Sequence, residues 1–152
     1  MQLDDRDRQI LSELQTDGRL TNAELAEKVH LSPSACLRRV NLLMDGDLVA
    51  GTHLVLDQAE AGFTGTAYVS ITLANQDRER LDAFEAKVRH IAQIQECYLL
   101  AGQSDYLLRV IFRDVADLER LHSEVLTRLP GVVRVQSNLT LRTVKRTTRV
   151  PV

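Results

Sequence analysis

The 152-residue sequence predicts an α+β protein in two parts, a small helical unit followed by a βαββαβ unit. Three observations carry this. Apolar residues recur at helical spacing through Leu43; after Leu48 alternation takes over, interrupted by two further helical stretches. Turn residues also stand where one element should hand over to the next: Asp17-Gly18, Asp45-Gly46-Asp47, Gly62, Gly65, Gly102-Gln103-Ser104 and Pro130-Gly131. The expected divisions are 1–49, a linker strand and loop over 50–64, and 65–152.

In the first part, Asp4 or Asp5 starts a helix with Ile10, Leu11 and Leu14 on one side. Thr21 caps the next, with Glu24 at the reciprocal capping-box position, and Leu25, Ala26 and Val29 form its apolar face. His30-Leu31 closes a turn. Ser32 caps a third helix with Pro33 at its first position, where a missing N–H costs nothing. Val40 and Leu43 face inward with Cys36 or Leu37, and Gly46 suits a left-handed stop. Three such helices can bury one small core. The polar side of the third then holds Ser34, Ala35, Arg38, Arg39 and Asn41, with Ser32 at its start. Serine and asparagine can bond phosphates or base edges, and arginine can bond phosphate or, bidentately, guanine. This is how a helix–turn–helix unit puts one helix into the major groove.

In the second part, Gly65–Ala74 is expected as a strand and Arg78–Ile91 as a helix with Leu81, Phe84, Val88 and Ile91 on one face. Strands Ile94–Ala101 and Asp105–Arg113 follow, then a helix over Val115–Leu129 with Leu118, Leu121, Val125 and Leu129 inward. Val132–Val144 is the last strand. The order is that of the split-βαβ, ferredoxin-like arrangement, an antiparallel sheet with both helices on one face. Tyr98 and Leu100 lie opposite Cys97, Leu99 and Ala101; Leu107 and Ile111 lie opposite Tyr106, Leu108, Val110 and Phe112. The strands Ile94–Ala101 and Asp105–Arg113, read as the central pair, are apolar on both sides, and helices can cover only one. A second sheet is the simplest cover, so a homodimer is expected.

Charge leads to the same expectation. The formal net charge is −2; residues 1–50 hold six Lys/Arg against nine Asp/Glu, while Arg142, Lys145, Arg146 and Arg149 stand in the last eleven residues without an acid. Basic charge is thus concentrated on the third helix and at 142–149. One such head binds DNA weakly, and two acting together bind well. No apolar run approaches a membrane span, which fits a cytoplasmic protein. Cys36 and Cys97 are expected as separate thiols rather than a disulfide. His30, His53, His90 and His122 show no metal-ligand spacing, nothing groups as a catalytic triad, and no glycine-rich phosphate loop is present, so neither catalytic residues nor a cofactor are expected.

The turn before the third strand has ligand-binding chemistry. Asp105 could pair with the ammonium of a free amino acid while backbone N–H groups near Gly102 and Ser104 hold its carboxylate. The alternative is a simple hairpin in which Asp105 bonds its own turn.

Taken in order, a set of short signatures resembles the bacterial and archaeal Lrp/AsnC (feast/famine) regulators over essentially the full length. They are Leu3-Asp4 with Asp7 and Ile10-Leu11; Asp17-Gly18-Arg19-Leu20-Thr21-Asn22; Leu31-Ser32-Pro33-Ser34 with Cys36-Leu37-Arg38-Arg39-Val40; Glu96-Cys97-Tyr98; Gly102-Gln103-Ser104-Asp105-Tyr106-Leu107-Leu108; Leu129-Pro130-Gly131-Val132; and Val144-Lys145 with Thr147-Thr148. Met44-Asp45-Gly46-Asp47 and His90-Ile91-Ala92-Gln93-Ile94 depart from the usual pattern. The resemblance implies a winged-helix-like helix–turn–helix domain that binds double-stranded DNA and an ACT-like domain that binds a small amino acid. It further implies dimers that assemble to tetramers or octamers, with the amino acid shifting assembly or DNA affinity. It puts Leu100 beside the ligand with Gly102, Ser104, Asp105 and Tyr106, and Gln136 and Ser137 there from a neighbouring subunit. Two alternatives share the fold: an architectural DNA-packing protein, and a siroheme-decarboxylase-like enzyme, which the intact Ser32–Leu43 helix argues against.

Overall fold

The computed structural model describes residues 2–152. The chain divides into two compact units, residues 1–54 with 145–152, and residues 55–144. By compactness segment 145–152 groups with the helices, whereas the expected division carries 65–152 as one domain.

The helical unit contains α1 (Asp5–Thr16), α2 (Asn22–Lys28) and α3 (Pro33–Met44). Each starts on the residue type that satisfies its orphan N–H groups. Asp4 accepts from Asp7 N–H while the Asp7 carboxylate accepts from Asp4 N–H; Thr21 and Glu24 repeat that box; Ser32 Oγ accepts from Ala35 N–H at 3.3 Å with Pro33 behind it. The turn between α2 and α3 is a Schellman stop. His30 N–H donates to Glu27 O at 3.2 Å and Leu31 N–H to Ala26 O at 2.9 Å, with His30 at φ 54°. Ile10, Leu11, Leu25, Ala26, Val29, Cys36 and Leu43 form the core. Cys36 takes the inward position and Leu37 points out.

The sheet unit holds β1 (Gly65–Leu73), α4 (Arg78–Val88), β2 (Ile94–Leu99), β3 (Tyr106–Phe112), α5 (Val115–Arg120) and β4 (Val132–Leu139). The sheet is antiparallel in the order β2-β3-β1-β4. The expected βαββαβ order stands, but the central pair is β1 and β3, and β2 is an edge. Ala67, Val69, Ile71 and Leu73 of β1 and Tyr106, Leu108, Val110 and Phe112 of β3 share one core with Phe84, Val88, Leu118, Leu121, Leu126 and Leu129. The opposite face of β1 is Thr66, Tyr68, Ser70 and Thr72, so the uncovered side of the central pair is more polar than expected. On that face Arg109 of β3 donates to Glu96 of β2 at 2.6 Å, with Tyr98 and Leu107 beside the pair.

Three elements differ from expectation for clear reasons. Residues 50–56 form no strand: Leu54 and Val55 are 89% and 78% exposed and nothing in the described chain pairs with them. The last strand stops at Leu139, since Leu139 pairs with Ala67 and Thr140 N–H reaches Thr66 O near the start of β1; beyond it no partner backbone is left. The helix after Asp114 changes winding: α5 passes into a π-helical turn over Leu121–Val125 and a 3₁₀ turn over Leu126–Arg128. Leu121 and Leu126 are both fully buried, five residues apart, and a π turn is the winding that stacks such a pair.

Candidate nucleic-acid interface and effector site

Seven residues of α3 are exposed: Pro33, Ser34, Leu37, Arg38, Asn41, Leu42 and Met44; of these Ser34, Leu37, Arg38 and Asn41 are spaced i, i+3, i+4 and i+7, so they form one outward stripe. Ala35 is half-buried at its margin. Ser32 is exposed, but its hydroxyl is the helix cap and stands 3.3 Å from the Ser34 hydroxyl. Arg38 makes no ion pair among the described residues. Leu37, 48% exposed in the middle of the stripe, belongs to this face although it is not among the residues expected there. An apolar side chain there can meet a thymine methyl. The signal that could have found it is the same spacing that picked out Ser34 and Asn41.

Arg39 is not part of the stripe. Its guanidinium lies 2.7 Å from Asp4 and 2.7 Å from Asp7, with its side chain only 25% exposed. The two carboxylates raise its pKa further, and Asp4 is lowered in turn, first by the Asp7 N–H and then by Arg39. The expectation that Arg39 faces DNA is corrected: it ties the capping box of α1 to α3.

Of the second set, Leu100, Gly102 and Ser104 cluster on the rim of the turn between β2 and β3. Leu100 N–H donates to Asp105 O at 2.8 Å, and Gly102 faces open space. Asp105 is turned into the fold. It is 5% exposed, and its carboxylate accepts from Leu73 N–H at 2.6 Å and from the Gln76 side-chain amide at 2.5 Å, while its own N–H donates to Ile71 O. The carboxylate is thus occupied within the chain, not by its own turn but as a bracket fastening the turn to the end of β1. Tyr106 likewise points inward. Its ring lies 4.5 Å from Phe84, its hydroxyl donates to Glu85 at 2.8 Å, and burial followed by Glu85 raises its pKa well above the ordinary value. Gln136 and Ser137 sit on β4 with β1 between them and β3, and they face opposite sides. Gln136 is exposed on the open face, and Ser137 lies 3.2 Å from His122 Nδ1 on the helix side. One chain therefore does not gather the seven residues into one pocket.

Among the described residues no group of His, Cys, Asp and Glu could hold a metal, and no helix is long and apolar enough to cross a membrane. Both cysteines are free thiols, and burial raises the pKa of each.

A capped helix–turn–helix with an outward polar stripe, attached to a ferredoxin-like sheet unit, defines the class of ligand-responsive DNA-binding regulators. Comparison with known proteins gives a match to each part, the second running on into residues 145–150. A model described as winged helix-turn-helix DNA-binding matches residues 3–50, and one described as Lrp/AsnC ligand binding domain matches residues 66–150. The leucine-responsive regulatory protein of Salmonella typhimurium is 37% identical over 148 residues, 97% of this chain and 90% of that protein. An uncharacterized HTH-type transcriptional regulator of Sinorhizobium fredii is 44% identical over 117 residues, 77% of this chain and 92% of that protein. A crystal structure of a Neisseria meningitidis transcriptional regulator in complex with L-Met superposes with a TM-score of 0.94 at 35% identity, covering 99% of this chain and 97% of that one. The chain belongs to the Lrp/AsnC family and is a DNA-binding transcriptional regulator.

Proposed function

We propose that this regulator reads operator DNA through Ser34, Leu37, Arg38 and Asn41, works as a homodimer or a larger assembly of dimers in the cytoplasm, and responds to a small apolar amino acid at the turn carrying Leu100, Gly102 and Ser104. The observation that carries the DNA reading is the α3 stripe, exposed on a helix whose cap and core are complete without it. Dimerisation draws support from the sheet face left bare by the helices, with Tyr68 and Tyr98 40% and 54% exposed, and from the unpaired, exposed Leu54–Leu56. The amino-acid effector draws support from the family's ligand-binding model and from the relatives named for leucine or solved with L-Met. The open space at Gly102 lets a ligand approach the backbone N–H groups there.

Arg38→Ala is expected to cost about 1–3 kcal/mol of operator binding, roughly 5- to 150-fold, with the oligomer intact. Gel shifts at fixed salt and size-exclusion chromatography measure both, and unchanged affinity overturns the assignment. Calorimetric titration with L-Leu and L-Met tests the effector, and the absence of heat and of any thermal shift with either refutes it.

A further inference from the structure

We propose that segment 145–152 is a second DNA-binding element, carried on the helical unit and offering Lys145, Arg146 and Arg149 to the phosphate backbone. This rests on the chain's DNA binding, and is independent of which α3 residues read bases.

The first observation is an anchor. Gln15, in the last turn of α1, grips Val150 from both sides: its amide donates to Val150 O at 3.0 Å and its carbonyl accepts from Val150 N–H at 2.7 Å. Exposure falls along the chain as it settles, from 100% at Leu141 to 84% at Val144, 64% at Val150 and 38% at Val152. The segment is held on the helices while its cationic side chains stay out. Lys145, Arg146 and Arg149 are all exposed, and none forms an ion pair among the described residues. Cations held in place without acids are poised for an anion from outside.

The second observation is a deficit. Residues 1–54 carry six Lys/Arg against nine Asp/Glu, a formal −3. Arg39 is engaged with Asp4 and Asp7 and Lys28 with Glu13 at 3.0 Å, so these do not serve a polyanion. The three cations of 145–152 bring the whole unit to neutrality. DNA affinity is dominated by phosphate neutralisation, and the docked segment adds three cations, without an ion pair among the described residues, to residues 1–54, which alone are formally −3.

The third observation is location. The α1 end that holds Val150 leads through Asp17–Leu20 to the start of α2, and Asn22 there donates to Pro33 O at the first turn of α3 at 2.8 Å. The anchor thus lies one short loop before the start of α2, and the same end of α1 pairs through Glu13 with Lys28 in the last turn of α2. In a helix–turn–helix the helix before the recognition helix, here α2, crosses the sugar–phosphate backbone while α3 enters the groove. The partner is fixed by this chemistry as duplex phosphate, read without regard to base sequence.

The test uses the full chain and a labelled mixed-sequence duplex, with binding isotherms between 50 and 200 mM salt. The triple variant K145A/R146A/R149A is expected to bind more weakly, and its log–log salt slope to flatten by about 0.9 for each phosphate no longer neutralised. Circular dichroism melting and oligomeric state should match the parent, because the three side chains are exposed. Gln15→Ala keeps every charge but frees the anchor, and is expected to fall between parent and triple variant. A triple variant with the parent's affinity and slope overturns the inference. If Arg38→Ala weakens binding while the triple variant does not, this inference alone fails; if the parent binds no duplex at all, DNA binding fails with it.

Discussion

Asp105 and Arg39 are the two charged residues whose surroundings decide most. A carboxylate at 5% exposure survives only with its oxygens occupied, and Leu73 N–H and the Gln76 amide occupy them. Asp105→Ala leaves Leu73 N–H buried without an acceptor. The expected cost is roughly 1–3 kcal/mol of stability, measured as a lowered urea midpoint with unchanged slope. If Asp105 instead served only a ligand, stability without ligand would not change, and only the response to amino acids would disappear. Arg39 plays a different part. Its bonds to Asp4 and Asp7 span 35 and 32 residues, so it positions α3 against α1 and lies off the outward stripe.

Between α2 and α3, the turn stores a small strain. His30 is the only non-glycine with positive φ among the described residues, at the position where Schellman stops favour glycine. A left-handed conformation costs an L-residue about 1–2 kcal/mol, and the freer unfolded chain of a glycine offsets about 0.4–1 kcal/mol of the relief. His30→Gly is therefore expected to stabilise the helical unit by roughly 0.5–1 kcal/mol. A thermal melt reads it, and a lowered midpoint would show that the imidazole makes an interaction worth more than the strain. The caps were legible from local sequence: Thr21 with Glu24 and Ser32 with Pro33 stand where the residue types put them, and of the two candidates Asp4 and Asp5 the cap is Asp4. The π turn after α5 was less so, because it answers to Leu126 meeting the sheet, which is a demand of packing rather than of propensity.

At the scale of the whole molecule, acid titrates both units. Asp4, Glu24 and Asp117 all have pKa values below the ordinary carboxylate value: Asp4 through the Asp7 N–H and Arg39, Glu24 through the Thr21 hydroxyl and N–H, Asp117 through the Arg113 N–H and Arg120. A carboxylate depressed in the folded state stabilises above its unfolded pKa, and that contribution is lost as pH falls through the folded value. Stability is thus expected to decline from about pH 5 downward, in the window where the unfolded chain takes up protons first. Urea midpoints at pH 6, 4 and 3 measure this, and Asp117→Asn should flatten the decline. A midpoint independent of pH over that range would mean that these hydrogen bonds are absent in solution.

The same scale separates what is readable from sequence and what is not. Helix starts, the βαββαβ order and family membership follow from neighbours within a few residues, or from motifs in series, because caps, periodicity and turns are local chemistry. Which charges are free does not. Arg38 and Arg39 are adjacent and chemically alike, yet one faces solvent and the other is held by acids at the start of α1. Asp105 reads in sequence as a turn carboxylate free for an ammonium or for its own turn, whereas in the fold β1 ends against it. Residues 145–152 follow the last strand in sequence but lie with the helices, on the grip of a glutamine 135 residues away. Local sequence set the elements and the family. The fold settled which side chains were already spent on one another, since burial and pairing depend on chain neighbours that no local pattern records.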